Sequence, residues 1–451
     1  MILHYFQTSD SFQELCRMIY YGGCQADLRR QVWPFLLGLF DWSYSDEHCE
    51  ALLATFHSKY EAMAADWQAV EAIIQQRDKE AFKEARKSTA STDVSLVGKD
   101  YSICSDVFED GEGGAGSPPD SVSVDSKPSR RVSGKSSATS ISSAGSVANG
   151  CVRQPGGHRM TYSCSSMNTD PASVPSVDQP VWESPQESHE LTSKTSVDSG
   201  GGTGIQYSRE LLDTFAVNLH RIEKDVHRCD RNYHYFTTRN LLKLKHIMCT
   251  YVWENLEMGY IQGMCDLAAP LLVIFDDEVL TYGCFCELMK RMAPNFPHGG
   301  GMDAHLANMR SLIQVLDPQL FELMQRNGDY THFYFCYRWF LLDFKRELIY
   351  DDVFRVWETI WAARCLVSSS FVLFIAMATV EYYREIILEN SMDFTDIIKF
   401  FNEMAEKHEA DAILSLARDL VYRLQTMIDE RNGNSASSKL SLDNAAGVKF
   451  E

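Results

Sequence analysis

The chain has 451 residues, and 45% of them are hydrophobic, which is enough for a large core in one or two domains. Its formal net charge is −20 and its pI is near 5.1, so the phosphate backbone of a nucleic acid and an anionic membrane surface would both repel it. We therefore exclude nucleic acid as a partner and expect a neutral or basic protein partner instead.

The start of the chain does not resemble a targeting signal, because MILHYFQTSD lacks a basic stretch followed by an apolar core. The 13 cysteines are irregularly spaced, which is typical of reduced thiols and not of a disulfide framework. The longest apolar run, Phe371 to Val380, is shorter than the roughly twenty residues that span a bilayer. We expect a cytoplasmic protein without direct membrane insertion, in which this run is a core helix.

Composition divides the chain into ordered and polar parts. Residues 13–86 and 205–430 are rich in large apolar side chains, whereas residues 87–204 are rich in Ser, Gly, Asp and Pro. Such a polar segment cannot bury enough surface to offset its chain entropy, so it predicts a disordered insertion within one domain. Residues 431–451 are predicted to be a flexible tail.

Apolar residues recur every three or four positions through most of the ordered parts, which is the period of a helix. Residues 45–85 show this pattern clearly, with polar residues between the apolar ones. The aromatic run from Phe333 to Leu342 also predicts core, with Arg338 as an ion-pair residue within it. Few stretches alternate between apolar and polar residues, so the predicted fold class is all-α.

Residues at helix ends support the same fold class. Asp317 followed by Pro318 predicts an N-cap and the first position of a helix. Thr237 or Thr238 is predicted to cap another helix, for which Gly259 provides a left-handed stop.

Several short motifs are typical of catalytic or metal sites but lack the context that those sites require. The glycine-rich run 200–204 follows no apolar strand, so we interpret it as a linker and not as a phosphate-binding loop. The segment 298–301 resembles a lipase oxyanion loop, but no G-x-S-x-G motif accompanies it, so a turn is predicted. Cys284 and Cys286 have no partners at zinc spacing and are predicted to be core thiols. No metal site is expected.

Three residues in the segment RIEKDVHR share one face of a predicted helix. Ile222, Asp225 and Arg228 follow one another at three-residue steps, so the isoleucine can anchor the helix while the arginine reaches outward. The same spacing is also typical of a surface ion pair, which contributes about 0.3 kcal/mol. By itself this motif does not decide between the two interpretations.

A second polar motif lies between two apolar helices, in the segment GYIQG. Gln262 is placed near a helix N-terminus, where backbone N–H groups and the helix dipole favour anions such as phosphate. Near the start of the chain, Arg29 and Trp33 are four residues apart and predict a structural pair on one helix face.

Taken together, Arg29-x-x-x-Trp33, Ile222-x-x-Asp225-x-x-Arg228 and Tyr260-x-Gln262-Gly263 resemble the three fingerprint motifs of the TBC domain. Longer segments, among them LHRIEKDVHRCDRNYHYF and MDFTDIIKFFNEMAEKH, are similar to the small G protein signalling modulator branch, which also carries a domain-splitting insertion.

The resemblance implies an all-helical GTPase-activating protein for Rab-type small GTPases. By similarity, Arg228 is the arginine finger and Gln262 the glutamine finger, supplied in trans. The other motif residues, which are Asp225, Arg29, Tyr260, Gly263, Trp33 and Ile222, would support these two. The chain needs no cofactor of its own, because GTP and Mg²⁺ are carried by the partner GTPase.

The chemistry of GTP hydrolysis explains why an arginine and a glutamine would serve at these positions. Charge spreads over the γ-phosphoryl oxygens in the transition state, and a guanidinium presents planar, permanently charged donors to them. A carboxamide both donates and accepts, so it can hold the attacking water. Asp225 is expected to orient neighbouring backbone or basic groups, with Arg29 as a candidate partner.

The sequence departs from the family pattern in two places. The residues before Arg29 are Gly22-Gly23-Cys24-Gln25, where the family often has a Gly-Ile-Pro lead. There is no room before Arg29 for the amino-terminal RUN domain of the modulator branch, so the chain is expected to be a short isoform, a fragment or a divergent relative.

Two other functions remain as alternatives. The same surface could bind a Rab-type or Rap-type GTPase as an effector or scaffold, without accelerating hydrolysis. A hydrolase acting on small molecules is disfavoured, since no nucleophile constellation is present. Intact finger residues favour catalysis over simple binding.

The insertion contains Arg130-Arg131-Val132-Ser133, a spacing that basic-directed kinases accept. Phosphorylation of Ser133 would add nearly two negative charges and could alter docking. An unmodified spacer is the alternative.

Overall fold

The computed structural model describes residues 12–89, 207–297 and 299–431, apart from the side chains of 87–89. Every regular element in these ranges is a helix, which confirms the all-α prediction. The predicted insertion at 87–204, with Ser133, and the predicted tail at 431–451 lie outside the described residues, except where helices continue to Thr89 and Arg431.

The first described range contains a short helix pair and one long helix, and the long helix confirms the periodicity of residues 45–85. Tyr60, Trp67, Val70 and Ile74 are its fully buried side chains, and none of its described side chains beyond Ile74 is fully buried. The helices are α1 (Phe12–Gly22), α2 (Arg29–Leu37) and α3 (Asp46–Thr89).

The second part of the chain continues the helical bundle from residue 209 onward. Its longer helices are joined by short turns, two of which contain 3₁₀ segments at Ala293–Asn295 and Tyr334–Cys336. The helices are α4 (Arg209–Arg228), α5 (Thr238–Glu254), α6 (Met264–Phe275), α7 (Glu278–Met292), α8 (Gly301–Leu316), α9 (Pro318–Arg326), α10 (Tyr337–Leu341), α11 (Tyr350–Leu366), α12 (Phe371–Tyr382), α13 (Arg384–Glu389), α14 (Phe394–Met404) and α15 (Ala410–Arg431).

The core is built around helices that are apolar on all sides. All residues of the run Phe371 to Val380 in α12 are buried, which confirms it as a core helix. It packs against α15 and α8, while α11 packs against α1. None of the helices in the described ranges is both long and apolar enough to cross a membrane.

The two parts of the chain on either side of residues 90–206 lie in one compact unit. Helix α3 packs against α5 and α7. The indole Nε1 of Trp67 donates to Thr250 Oγ1 at 3.0 Å, and the hydroxyl of Tyr60 donates to Glu278 Oε2 at 2.9 Å. Buried polar contacts of this kind fix how α3 sits on the second part, because each donor would otherwise lose its partner.

The structure confirms some of the predicted helix ends and not others. The Asp317 side chain accepts from the backbone N–H of Leu320, so its capping role is confirmed. Thr237 is the N-cap residue of α5, but its side chain makes no capping hydrogen bond, so that prediction was wrong in its mechanism. Helix α5 ends at Glu254, and Gly259 adopts a left-handed conformation (φ 64°) in the loop that follows.

The motifs that we discounted give no metal site in the described residues, where no group of three or more His, Cys, Asp or Glu side chains could hold an ion. Cys284 is fully buried and Cys286 is half-buried, as expected of thiols packed in a core. The glycine run 200–204 and His298 lie outside the described residues.

Candidate functional site

Arg228 is the last residue of α4, and the three residues of its motif follow one face of that helix. Ile222 is fully buried and anchors the helix, while the Asp225 side chain is 11% exposed and that of Arg228 is 45% exposed. The Arg228 guanidinium donates from Nη2 to Asp225 Oδ1 at 2.7 Å. The guanidinium of Arg228 is therefore held by a mostly buried carboxylate, while nearly half of the arginine side chain is exposed to solvent.

The second motif meets the first at this same carboxylate. The Tyr260 hydroxyl donates to Asp225 Oδ2 at 2.7 Å, and the Cys265 Sγ lies 3.1 Å from that hydroxyl. Burial raises the pKa of Tyr260 well above its usual value, and the nearby Cys265 and Asp225 raise it further, so the hydroxyl stays protonated as a donor. One carboxylate thus joins two segments that are 35 positions apart.

The loop before α6 is fixed by backbone contacts as well. Asn218 Oδ1 accepts from the Tyr260 backbone N–H at 2.7 Å. A Cβ at Gly259 would lie 2.8 Å from the same Asn218 oxygen, and its φ of 64° is in the left-handed region, so glycine is required there. The loop conformation is therefore determined by α4, on which Asn218 lies.

Gln262 directly precedes Gly263, which is the N-cap residue of α6 with a φ of 106°. Its side chain is half-buried, and within the described residues it makes no hydrogen bond. This is the predicted position at the start of a helix, where free backbone N–H groups favour an anion. The structure therefore brings the segments that carry Arg228 and Gln262 together through Asp225 and Tyr260.

Arg29 and Trp33 form the predicted structural pair, but their partner is not Asp225. Both donate to one oxygen of Glu358 on α11, from Arg29 Nε at 2.7 Å and from Trp33 Nε1 at 2.8 Å. The Cys24 backbone N–H donates to the other oxygen at 3.1 Å. The suggestion that Arg29 pairs with Asp225 was therefore wrong, because the fully buried carboxylate of Glu358 takes up its charge.

Glu358 was missed in the sequence, since it lies in an apolar stripe of α11 more than 320 positions from its partners. Burial raises its pKa above the usual value, and the donors on Arg29 and Trp33 lower it in part. Arg338 pairs with Glu347 at 2.6 Å, as expected of an ion-pair residue within an aromatic run.

A second charged cluster also escaped sequence reasoning. The side chains of Asp230, Asp266, Lys345 and Arg346 form ion pairs next to the ends of α4 and α6. The Tyr350 hydroxyl donates to Asp230 Oδ2 at 2.7 Å, and its ring stacks on Tyr233 with centroids 3.9 Å apart. The only sequence signal was the position of Asp230 two residues after Arg228.

Comparison with known proteins shows which domain family and which solved fold this chain resembles. Residues 181–388 match the Rab-GTPase-TBC domain, a range that includes Arg228 and Gln262 but begins after Arg29 and Trp33. The solved Ypt/Rab-GAP domain of Gyp1p superposes with a TM-score of 0.54 at 15% identity, covering 94% of this chain and 98% of that one, which shows a shared fold. Residues 181–388 therefore match the Rab-GTPase-TBC domain, and the chain shares the fold of a solved Ypt/Rab-GAP domain.

Within this class, the chain is similar to the small G protein signaling modulators. It is 48% identical to modulator 2 of Mus musculus over 93% of its own length and 45% of that protein. Modulator 1 of Homo sapiens is 42% identical over 94% of this chain and 48% of its own. The Rab GTPase-activating protein tbc-8 of Caenorhabditis elegans is 37% identical over 93% of this chain and 36% of its own. The chain thus spans about half or less of the relatives it matches.

Proposed function

We propose that this chain is a GTPase-activating protein for Rab-type small GTPases, with Arg228 and Gln262 inserted into the nucleotide site of the partner. The observation that carries the proposal is the carboxylate of Asp225, which binds Arg228 at 2.7 Å and, through Tyr260 at 2.7 Å, fixes the loop that presents Gln262. Arg228 and Gln262 would have to approach the same phosphate together. The contacts of Asp225 with both segments hold them close enough for this.

Exposure and charge around Arg228 support the same proposal. The chain is acidic overall, yet Asp225, Asp230 and Glu223, which are the acidic residues between positions 221 and 239, are all engaged in ion pairs. The basic residues of the same range outnumber them, and all of them are exposed: they are Arg221, Lys224, Arg228, Arg231 and Arg239. A locally basic surface suits the phosphates of a bound nucleotide, even on a chain with a net charge of −20.

The two side chains would divide the work. The Arg228 guanidinium would stabilise charge on the γ-phosphoryl oxygens, an effect worth roughly 10³ to 10⁵ in rate. The Gln262 amide would hold the attacking water in line with the phosphorus. GTP and Mg²⁺ would arrive with the GTPase, so no cofactor belongs to this chain in the proposal. Names of relatives point the same way, since GYP7 of Yarrowia lipolytica is called a GTPase-activating protein.

The second candidate function is that of an effector or scaffold that binds a GTP-loaded Rab-type or Rap-type GTPase. Its support is that relatives are named as modulators of small G protein signaling and not as activators. In this case the exposed Arg228 would contact the partner without changing the rate of hydrolysis.

Single-turnover GTP hydrolysis by a panel of purified Rab and Rap proteins separates the two functions. We expect acceleration of at least one Rab, and a loss of about 10³-fold or more in the Arg228→Ala variant. The matched control is Arg209→Ala, which removes a 94% exposed arginine from the opposite end of the same helix, roughly 28 Å away. Binding without acceleration by the unmodified chain would favour the effector function.

A further inference from the structure

Lys345 is the most buried cation in the charged cluster beside the two finger motifs. It lies between α10 and α11, and its side chain is only 4% exposed. Its Nζ is 2.6 Å from Asp230 Oδ2 and 3.5 Å from Asp266 Oδ1. Burying an unpaired ammonium would destabilise the fold, so the two carboxylates are what allow Lys345 to be buried. No step of GTP hydrolysis requires it.

Asp230 connects this cation to the end of α4. It lies two residues after Arg228, and its φ of 41° is in the left-handed region that side chains other than glycine rarely adopt. The Lys345 ammonium and the Tyr350 hydroxyl both donate to its carboxylate and hold it there. The turn that directly follows Arg228 is therefore fixed by Lys345 and Tyr350 and not by α4 alone.

Asp266 connects the same cation to the start of α6. It lies four residues after Gln262, and its side chain is 9% exposed. Arg346 donates to both of its oxygens, from Nε at 3.0 Å and from Nη2 at 3.1 Å. Burial by itself would raise the pKa of Asp266 and lower that of Lys345, but their mutual attraction leaves the pKa of Asp266 lowered and that of Lys345 raised. Both groups are charged at neutral pH.

We propose that Lys345 is a positioning residue that fixes the end of α4, with Arg228, relative to the start of α6, with Gln262. The proposal rests on the proposed function of these two residues. Asp225 joins the two motifs on one side, and Lys345 joins the residues that follow each of them. Because Lys345 is buried, it cannot contact a GTPase, so its loss should act on the geometry of the fingers and not on docking.

The test compares kcat and KM for GTPase stimulation in Lys345→Met and in Lys345→Met/Asp230→Asn. The second variant leaves no unpaired carboxylate at 230, and Asp266 keeps Arg346, so it remains informative if the first does not fold. We expect kcat to fall about tenfold or more in both, with KM changed less than about threefold. Lys243→Met is the control, because it removes another Lys–Asp pair, with Asp276 at 2.6 Å, at the opposite end of α6.

An unchanged kcat, or a rise in KM alone, would overturn the positioning role while leaving the proposed function intact. If the unmodified chain stimulates no GTPase, the proposed function fails instead. Amide hydrogen exchange then tests the connection directly. Exchange at least about tenfold faster at residues 229–236 and 261–266 in the double variant, but not in Lys243→Met, supports it, and unchanged exchange overturns it.

Discussion

A single carboxylate at position 225 receives one hydrogen bond on each of its oxygens, from Arg228 and from Tyr260. Asparagine has nearly the same shape as aspartate, so Asp225→Asn removes the charge at this position with little change in side-chain volume.

Asp225→Asn is expected to lower the free energy of unfolding by about 1–3 kcal/mol, since the amide NH₂ must face one of the two donors. Under the proposed function, stimulation of hydrolysis should fall about tenfold or more, because the Arg228 guanidinium loses the charge that holds it. Urea unfolding and single-turnover hydrolysis measure the two effects. Asp213→Asn, at a 54% exposed position on the same helix, is the control. Full stimulation with normal stability would remove Asp225 from the site.

Between elements, Glu358 connects α11 to α2 by accepting from Arg29, Trp33 and the backbone of Cys24. Glu358→Gln keeps the shape but leaves the buried guanidinium of Arg29 without a counter-charge. We expect a loss of about 3–5 kcal/mol in the free energy of unfolding, measured by urea denaturation. Glu385→Gln, which breaks an ion pair at a 75% exposed carboxylate, should cost less than about 1 kcal/mol. Equal effects of the two variants would contradict this account.

The packing of α12 and α15 also predicts how stability depends on pH. Burial lowers the pKa of His408, which precedes α15, to about 4, and the Tyr383 hydroxyl lies 3.0 Å from its Nδ1. The unfolded chain binds this proton near pH 6.5 and the folded chain does not, so the stabilising contribution is complete above pH 6.5 and declines as the pH falls towards 4.

Between pH 7 and pH 5 this difference amounts to about 2 kcal/mol of unfolding free energy. The free energy of unfolding, measured in urea at both pH values, should decrease from pH 7 to pH 5. The decrease in His408→Gln should be smaller by that amount than in the unmodified chain, because the variant has no imidazole to titrate. Identical decreases in the two proteins would show that His408 does not cause the effect.

At the scale of the whole molecule, α3 reaches across the chain to pack on α5 and α7, and the contacts that hold it lie among the described residues. We therefore expect a chain that lacks residues 100–200 to fold with a thermal midpoint within a few degrees of the original and, under the proposed function, to retain its stimulation of a Rab-type GTPase. Differential scanning calorimetry and the hydrolysis assay test this. A large drop in the midpoint would show that residues 100–200 contribute to the fold.

The shortened chain needs a companion variant that disrupts the same interface. Trp67→Ala removes a fully buried indole and its hydrogen bond to Thr250, and should cost about 3–5 kcal/mol. A change in activity or cellular location on deletion, without loss of stability, would instead support regulation through Ser133.

Whether a feature could be predicted from the sequence depends on how far apart the interacting residues lie along the chain. The helical pattern over residues 45–85, the cap at Asp317 and the alignment of Ile222, Asp225 and Arg228 were predicted, because they depend on spacing within a few residues. The Glu358 acceptor and the Lys345 cluster were not, because their partners are brought together only by the fold. The pairing of Arg29 with Asp225 was wrong for the same reason.

The contact that holds Arg228 bears on how fast the chain could engage a GTPase. A guanidinium has five N–H groups, and in the part of the chain described here Arg228 uses Nη2 alone, towards Asp225. Most of its N–H groups are therefore still available to a phosphoryl oxygen without breaking the existing bond. Under the proposed function, the side chain needs no exchange of partners and no rearranged backbone on docking, so little reorganisation would precede the chemical step.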